Sequence, residues 1–167
     1  MNSRFAFAPV AALALATGLV VTGCADADSS AQRRVFTLRQ ASPELTQVDA
    51  NDAGDLGDEL VFSAPLTREG RPFGAVLGVL SNVGSDRQGR IAIAEERLAA
   101  VVFDLPAGTI SVLSLSYYDL GQREMTAGRP VVRAIVGGTG RYIGARGEVR
   151  TLRRPDGTYQ HILTLLD

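Results

Sequence analysis

The stretch VGGTGRYIGARGEV, residues 136–149, places five glycines around a single threonine and decides between two folds. A dinucleotide-binding turn has the spacing G-x-G-x-x-G between a strand and a helix. Here Gly138-x-Gly140 is followed by Gly144, one residue beyond that spacing, and the residues after it alternate with a period of two. Only 27 residues follow Gly140, too few for the rest of a doubly wound sheet. The stretch therefore predicts a tight structural turn made by Gly137, Gly138 and Gly140, followed by a strand.

The rest of the chain before and after this turn has the pattern of an all-β protein. Short apolar and β-branched runs alternate with clusters of Gly, Pro, Asp and Asn. The run IAIAEERLAAVVF, 91–103, also has helical propensity, but its Ile, Val and Phe residues favour a strand. The segment GSDRQG, 84–89, is predicted to end the third strand. Eight strands are predicted in all, at residues 33–40, 57–66, 72–83, 90–105, 108–120, 130–136, 144–153 and 158–166.

Eight short antiparallel strands joined by hairpins predict a closed β-barrel or a sandwich. An eight-stranded barrel is wide enough either for its own side chains or for one small ligand. Several of the strands are apolar on both faces: in 57–66, Leu60, Phe62 and Ala64 share one face, while Val61 and Pro65 share the other. A strand with one face in water would alternate more cleanly, so we expect part of the outer surface to be covered, for example by another subunit.

The beginning of the chain predicts export and lipid anchoring. A positive charge at Arg4 precedes an apolar run, and the run ends in Val21-Thr22-Gly23-Cys24. These four residues resemble the lipobox of bacterial lipoproteins, in which the signal is cut before the cysteine and the cysteine is lipidated. An ordinary secretory signal and a short transmembrane anchor are the alternatives. We therefore predict a signal peptide at 1–23, a polar tether at 24–33 that begins with lipidated Cys24, and a single domain at 34–167.

Composition argues against several classes of function. The formal net charge is −1 and the sequence pI is about 5.8, whereas a nucleic-acid-binding domain is usually strongly basic. Cys24 is the only cysteine and His161 the only histidine, so no set of metal ligands or catalytic Ser-His-Asp spacing is indicated. We expect no nucleic acid partner, no metal and no cofactor.

Two segments resemble the allene oxide cyclase and dirigent families. One is AIVGGTGRYIGARGEV, residues 134–149, and the other is LGDELVFSAPLTREGRPFGAVLGV, residues 56–79. The order of the remaining strands agrees with those families from about Val35 onward. The resemblance implies an eight-stranded antiparallel barrel, often a homotrimer, with an apolar cavity open at one end. In these families the cavity binds a fatty-acid epoxide for cyclisation or guides the coupling of phenolic radicals.

The residues that those families use for chemistry do not match this chain. The resemblance places Thr37 at the position of a catalytic carboxylate and Leu80 at the position of a cysteine, and neither side chain can perform that role. The acidic groups of dirigent proteins correspond to Ser63 and Ala64. The resemblance therefore implies the fold and the cavity but neither activity.

The candidates for contact with a ligand in the cavity are Tyr117, Asp119, Arg146, Phe62 and Leu80. Tyr117 and Tyr118 are adjacent on a strand, so one of the pair points inward, and Asp119 shares the face of Tyr117. Arg146, Glu148 and Arg150 share another face, which is either a solvated row of charges or a buried ion network.

Three functions fit these observations. The first is an exported, membrane-tethered barrel that binds a small apolar molecule without changing it. The second is an isomerase, cyclase or dirigent-like enzyme that works by shaping a flexible substrate, since positioning alone contributes several kcal/mol. The third is a structural module of the cell envelope whose cavity is filled by its own side chains.

Overall fold

The computed structural model describes residues 33–48, 56–88 and 91–166 of the chain. It contains nine strands: β1 Arg33–Gln40, β2 Glu44–Val48, β3 Glu59–Arg68, β4 Arg71–Gln88, β5 Ile91–Leu105, β6 Gly108–Asp119, β7 Val131–Gly138, β8 Arg146–Arg153 and β9 Tyr159–Leu166. The only helical segment within these ranges is a short 3₁₀ turn, Gly140–Tyr142. Within them, no helical segment has the length and hydropathy needed to cross a membrane. The predicted signal peptide, Cys24 and the start of the tether lie outside the described residues.

The strands form one antiparallel sheet that closes on itself. The order is β1-β9-β8-β7-β6-β5-β4-β3-β2, and β1 also pairs with β3 through Arg39–Thr67 and Gln40–Leu66. The closed barrel therefore has eight strands. The ninth, β2, lies against the same edge of β3 as β1 does, but it pairs with residues 59–63 of β3. The prediction of an all-β, eight-stranded antiparallel barrel is confirmed. Closure removes the open sheet edges at which chains aggregate.

The run 91–103 is a strand, as predicted, because it pairs with β4 from Ile91 onward and with β6 from Ala94 onward. Two details of the strand prediction were wrong. The segment 84–89 does not end the third strand, since β4 continues to Gln88 and pairs with β5 across two register shifts. The strand β2, ELTQV, was not predicted; three of its five residues are exposed, and it has only two apolar side chains.

The core of the barrel consists of the side chains at every second position of the strands, which point inward. In β1 these are Phe36 and Leu38, and in β9 they are Leu163 and Leu165, all buried. Phe103 and Ile110 continue the same core from β5 and β6. Burying each such side chain contributes about 1.5–3 kcal/mol relative to leaving it in water.

The glycine-rich stretch closes one end of this core. Gly137 and Gly138 are the last residues of β7, and Gly140 begins the 3₁₀ turn with a φ of +59°. A side chain at Gly140 would lie 2.4 Å from the carbonyl oxygen of Ala107, so the turn packs directly on the β5–β6 hairpin. Thr139 fastens the contact: its hydroxyl accepts from the Thr109 amide at 3.0 Å, and its own amide donates to the Thr109 carbonyl at 2.9 Å. The stretch is therefore a structural turn in a strand-turn-strand context.

Candidate functional site

A cavity lies inside the barrel and opens at the end where β6 and β7 are joined. The volume open to a water molecule is about 50 Å³, room for a few waters, and the space that protein atoms leave unfilled, with the open mouth and its solvent included, is about 540 Å³. Its walls are largely apolar, with Leu45, Phe62, Val76, Leu80, Val101, Phe103, Val112 and Val149. The polar and sulfur-containing side chains that line it are Gln40, Tyr118, Arg123, Glu124, Met125, Arg133, Thr151, Tyr159 and His161.

His161 sits at the centre of one polar cluster in this wall. Its Nε2 lies 2.8 Å from Oε1 of Gln40, and its Nδ1 lies 3.0 Å from the hydroxyl of Thr151. The amide oxygen of Gln40 accepts only, so the hydrogen is on Nε2, and Thr151 donates to Nδ1. The ring also meets Phe103 edge to face, with 5.0 Å between ring centroids. Both ring nitrogens of His161 are therefore engaged by side chains of the barrel.

The imidazole of His161 is neutral in this environment. Burial lowers the pKa of His161 from 6.5 to about 3, and the positive charge of Arg133 adds to the effect. A neutral ring matches the hydrogen-bond pattern, in which one nitrogen donates and the other accepts. With both nitrogens occupied, the ring has no lone pair free to take a proton from a ligand. Its observable role is to hold β1, β8 and β9 in register across the cavity wall.

Arg133 lies on β7 and belongs to a second polar cluster. Its guanidinium is buried, and Nη2 donates to the Tyr118 hydroxyl at 3.2 Å and contacts the Met125 sulfur at 3.9 Å. Its Nε is buried and has no hydrogen-bond partner. Tyr118 is in turn covered by the guanidinium of Arg97, which lies 4.5 Å above the centre of its ring.

The segment that joins β6 to β7 is held over the mouth by a buried ion pair. Glu95 and Arg97 on β5 are both buried, with 3.0 Å between Arg97 Nε and Glu95 Oε2. Glu95 also accepts from the Gly121 amide at 2.9 Å, while Arg97 donates to the carbonyl of Gln122 at 2.8 Å. The charges that would be costly to bury alone are thus used to fix a connecting segment.

Glu124 provides a second attachment of the same segment. Its carboxylate accepts from Arg153 at 2.8 Å and from the Tyr159 hydroxyl at 3.0 Å. Burial, followed by the negative charge of Glu124, raises the pKa of Tyr159. The Tyr159 phenol therefore stays protonated and continues to donate to Glu124.

The five side chains predicted to face a ligand are not brought together. Phe62 and Leu80 line the cavity. Tyr117 is 55% exposed on the outer face, and its neighbour Tyr118 points inward in its place. Asp119 is the last residue of β6 and does not line the cavity; it accepts from Thr126 and pairs with Arg129 at 3.3 Å. Arg146 is exposed on the outer face with Glu148 and Arg150, so it does not line the cavity.

The polar residues that line the cavity were missed by the sequence analysis. Arg133, Gln40, Thr151 and Glu124 come from three strands and one connecting segment, and only closure of the barrel brings them together. One usable signal was present: Arg133 shares its strand face with Ile135, which is buried. Within the described part of the chain, no three His, Cys, Asp or Glu side chains are grouped closely enough to hold a metal ion.

The fold and the site together define a class: a closed antiparallel β-barrel with an internal, mainly apolar cavity. No protein-family model and no curated protein sequence matches the chain. Among solved structures, the chain is similar to one described as pyocyanin demethylase, with a TM-score of 0.60 and 23% sequence identity. The match covers 80% of this chain and 99% of that one. At this identity the likeness shows a shared fold.

Proposed function

We propose that this protein is an exported barrel, tethered to the cell envelope by a lipid on Cys24, that binds a small apolar molecule in its internal cavity. The observation that carries the proposal is the cavity itself. Its deep walls are apolar, and most of its polar groups are engaged with one another. Such a cavity gains free energy when an apolar ligand replaces water, at about 25 cal/mol per Å² of apolar surface buried.

The polar side chains of the cavity already hydrogen-bond one another, and this favours ligand binding over acid–base catalysis. The two nitrogens of His161 are occupied, and the Glu124 carboxylate holds two donors. A general acid or base must instead be within reach of the proton that it transfers. The resemblance of residues 56–79 and 134–149 to allene oxide cyclase and dirigent proteins supports the cavity but not their chemistry.

An enzyme that positions its substrate is the second candidate. The observation that favours it is the pair Arg133 and Tyr118, a cation and a hydroxyl side by side in the cavity wall. The structural neighbour is also described as an enzyme. On this alternative the barrel is an isomerase, a cyclase or a dirigent-like protein.

Native mass spectrometry of the full-length protein, extracted from its own membranes, tests the proposal. We expect a discrete apolar molecule bound to the protein. Leu80→Phe would narrow the cavity and lower the fraction of protein that carries the molecule. Ile143→Phe, on the exposed surface, would leave that fraction unchanged. A protein that carries no ligand and does not bind an apolar dye would contradict the proposal and favour the structural envelope module. Incubation with the isolated compound then separates binding from turnover.

We also propose that the barrel associates as a homotrimer through its outer surface. The outer apolar face consists of Leu77, Leu98, Val102, Leu113 and Leu115, each 36–45% exposed. It is continuous, because Leu77 pairs with Val102 and Leu98 with Leu115 across adjacent strands. Exposed apolar patches of this kind mark interaction sites. Light scattering should give three chains per particle, and Leu113→Arg should give monomers; a wild-type monomer would refute the trimer.

The lipid anchor is tested separately from the cavity. Replacing Cys24 by Ser removes the only thiol in the chain. The variant should no longer incorporate a radiolabelled fatty acid and should leave the membrane fraction. Continued labelling of Cys24→Ser would exclude the proposed lipidation.

A further inference from the structure

Arg133 is a buried cation that has no ion-pair partner among the described residues. Its side chain makes one hydrogen bond to a neutral hydroxyl and one contact with a sulfur atom, and its Nε makes none. Burying an unpaired charge is costly, and buried arginines are normally paired with carboxylates. Arg133 lines the cavity, so a ligand is the remaining source of negative charge.

The other charges around the cavity do not compensate Arg133. Glu124 is the only acidic side chain among the residues that line it, and its carboxylate is held by Arg153 and Tyr159. Glu95 is paired with Arg97. Arg123 lines the mouth and adds a second positive charge. The cavity therefore has an excess of positive charge.

Tyr118 adds a hydrogen-bond donor beside this cation. Its hydroxyl oxygen accepts from Arg133, and the side chain makes no other hydrogen bond within the described residues. The hydroxyl hydrogen is thus available to an acceptor in the cavity. Tyr118 lies one residue before the end of β6 and Arg133 two residues after the start of β7, so both are near the mouth.

We propose that the cavity selects a small apolar molecule that carries one carboxylate, and that Arg133 binds this carboxylate with Tyr118 as a second donor. This inference rests on the proposed ligand-binding function and specifies its ligand class. The planar guanidinium matches a carboxylate in geometry and in charge. The apolar body of the ligand then lies deeper in the barrel, among Val76, Val101 and Val112.

The test compares two probes of nearly equal shape, 2-naphthoate and 2-naphthamide, by isothermal titration calorimetry. The protein is the full chain in a nonionic detergent, with titration into detergent alone as the blank. We expect the wild type to bind the carboxylate at least about tenfold more tightly than the amide, because only the carboxylate compensates a buried charge.

Variants test whether Arg133 causes the preference for the carboxylate probe. Arg133→Met should abolish the preference for the carboxylate, and Arg133→Lys should restore part of it. Arg146→Met, which removes an exposed arginine from the outer face, should leave the preference unchanged. If Arg133→Met does not fold, Tyr118→Phe takes its place and should reduce the preference severalfold.

Each outcome is decisive. Equal affinity of the wild type for the two probes overturns the carboxylate site while leaving the ligand-binding barrel in place. Binding of neither probe contradicts both the carboxylate site and the proposed function. Loss of the preference in Arg146→Met as well as in Arg133→Met would show a general surface-charge effect and also overturn the inference.

Discussion

Lowering the pH from 8 to 5 should destabilise the folded barrel through the side chain of His161. In the unfolded chain this imidazole takes up a proton near pH 6.5, whereas in the barrel burial keeps its pKa at about 3. Between these two values the unfolded state binds one more proton than the folded state, so stability falls as the pH falls. The stabilisation is complete above pH 6.5 and is lost progressively below it.

The size of this loss of stability follows from the difference between the pH and the pKa of His161 in the unfolded chain. At pH 5 the solution is about 1.5 units below that pKa, and each unit corresponds to about 1.4 kcal/mol, so the free energy of unfolding should drop by about 2 kcal/mol. The folded pKa does not affect this figure as long as it stays below about 4. Asp156 does not contribute in this range, since hydrogen bonds from Thr158 lower the pKa of its carboxyl below the usual 3.8.

Urea unfolding of the wild type and of His161→Gln at both pH values isolates the contribution of the imidazole. The variant loses stability at each pH, because Gln40 and Thr151 lose their partner. Its difference between pH 8 and pH 5 should nevertheless be about 2 kcal/mol smaller than that of the wild type. Equal differences in the two proteins would refute the assignment of a neutral, buried imidazole.

A direct check is available because His161 is the only histidine in the chain. In a protein carrying no histidine tag, the imidazole carbon resonances belong to this residue alone. They should not shift between pH 8 and pH 5, and the nitrogen shifts should report a hydrogen on Nε2. A titration centred near pH 6.5 in the folded protein would show that the ring is accessible to protons, contrary to the geometry.

Two further predictions concern the framework around the cavity. Gly138→Ala would place a Cβ 2.5 Å from two backbone carbonyl oxygens, so the Tm of this variant should fall by several degrees. The control is Gly137→Ala, whose Cβ meets no atom within 4 Å and which should change the Tm little. Equal Tm values for the two variants would contradict this packing. Arg97→Met should lower the free energy of unfolding by about 3–5 kcal/mol, because it leaves the Glu95 carboxylate buried without its cationic partner and with only the Gly121 amide still donating to it. Amide exchange should speed up in the segment after β6. The matched variant Arg129→Met removes an exposed ion pair and should cost less than about 1 kcal/mol; a similar cost for both arginines would contradict the structural role of the buried pair.

The strand pattern was predictable because local sequence and barrel closure demand the same alternation. The glycine-rich stretch and the ends of the apolar runs each marked a boundary that the structure shows. Strand β2 was not predicted because it forms for a different reason. Its five residues pair with Ser63–Glu59 of β3, and this tertiary contact rather than local propensity orders them.

The inward or outward orientation of the side chains was harder to predict for β6 and β7. Both strands are apolar on each face: Leu113 and Leu115 point outward, while Ile110 and Val112 point inward. Alternation alone therefore could not distinguish Tyr117 from Tyr118. In β8 the alternation is informative, because Arg146, Glu148 and Arg150 lie opposite a face with the buried Val149 and Thr151.

The polar groups in and beside the cavity serve two different purposes, one structural and one that points to a ligand. Glu95, Arg97 and Glu124 bind the segment after β6 to the barrel, and His161 connects three strands, so these groups are already saturated. Arg133 is the exception, since its charge is matched by no other side chain described. A barrel built only for stability would gain by replacing such a residue with an apolar one. An unmatched buried cation in this wall is therefore better explained by recognition of a ligand, and the naphthoate comparison measures that recognition directly.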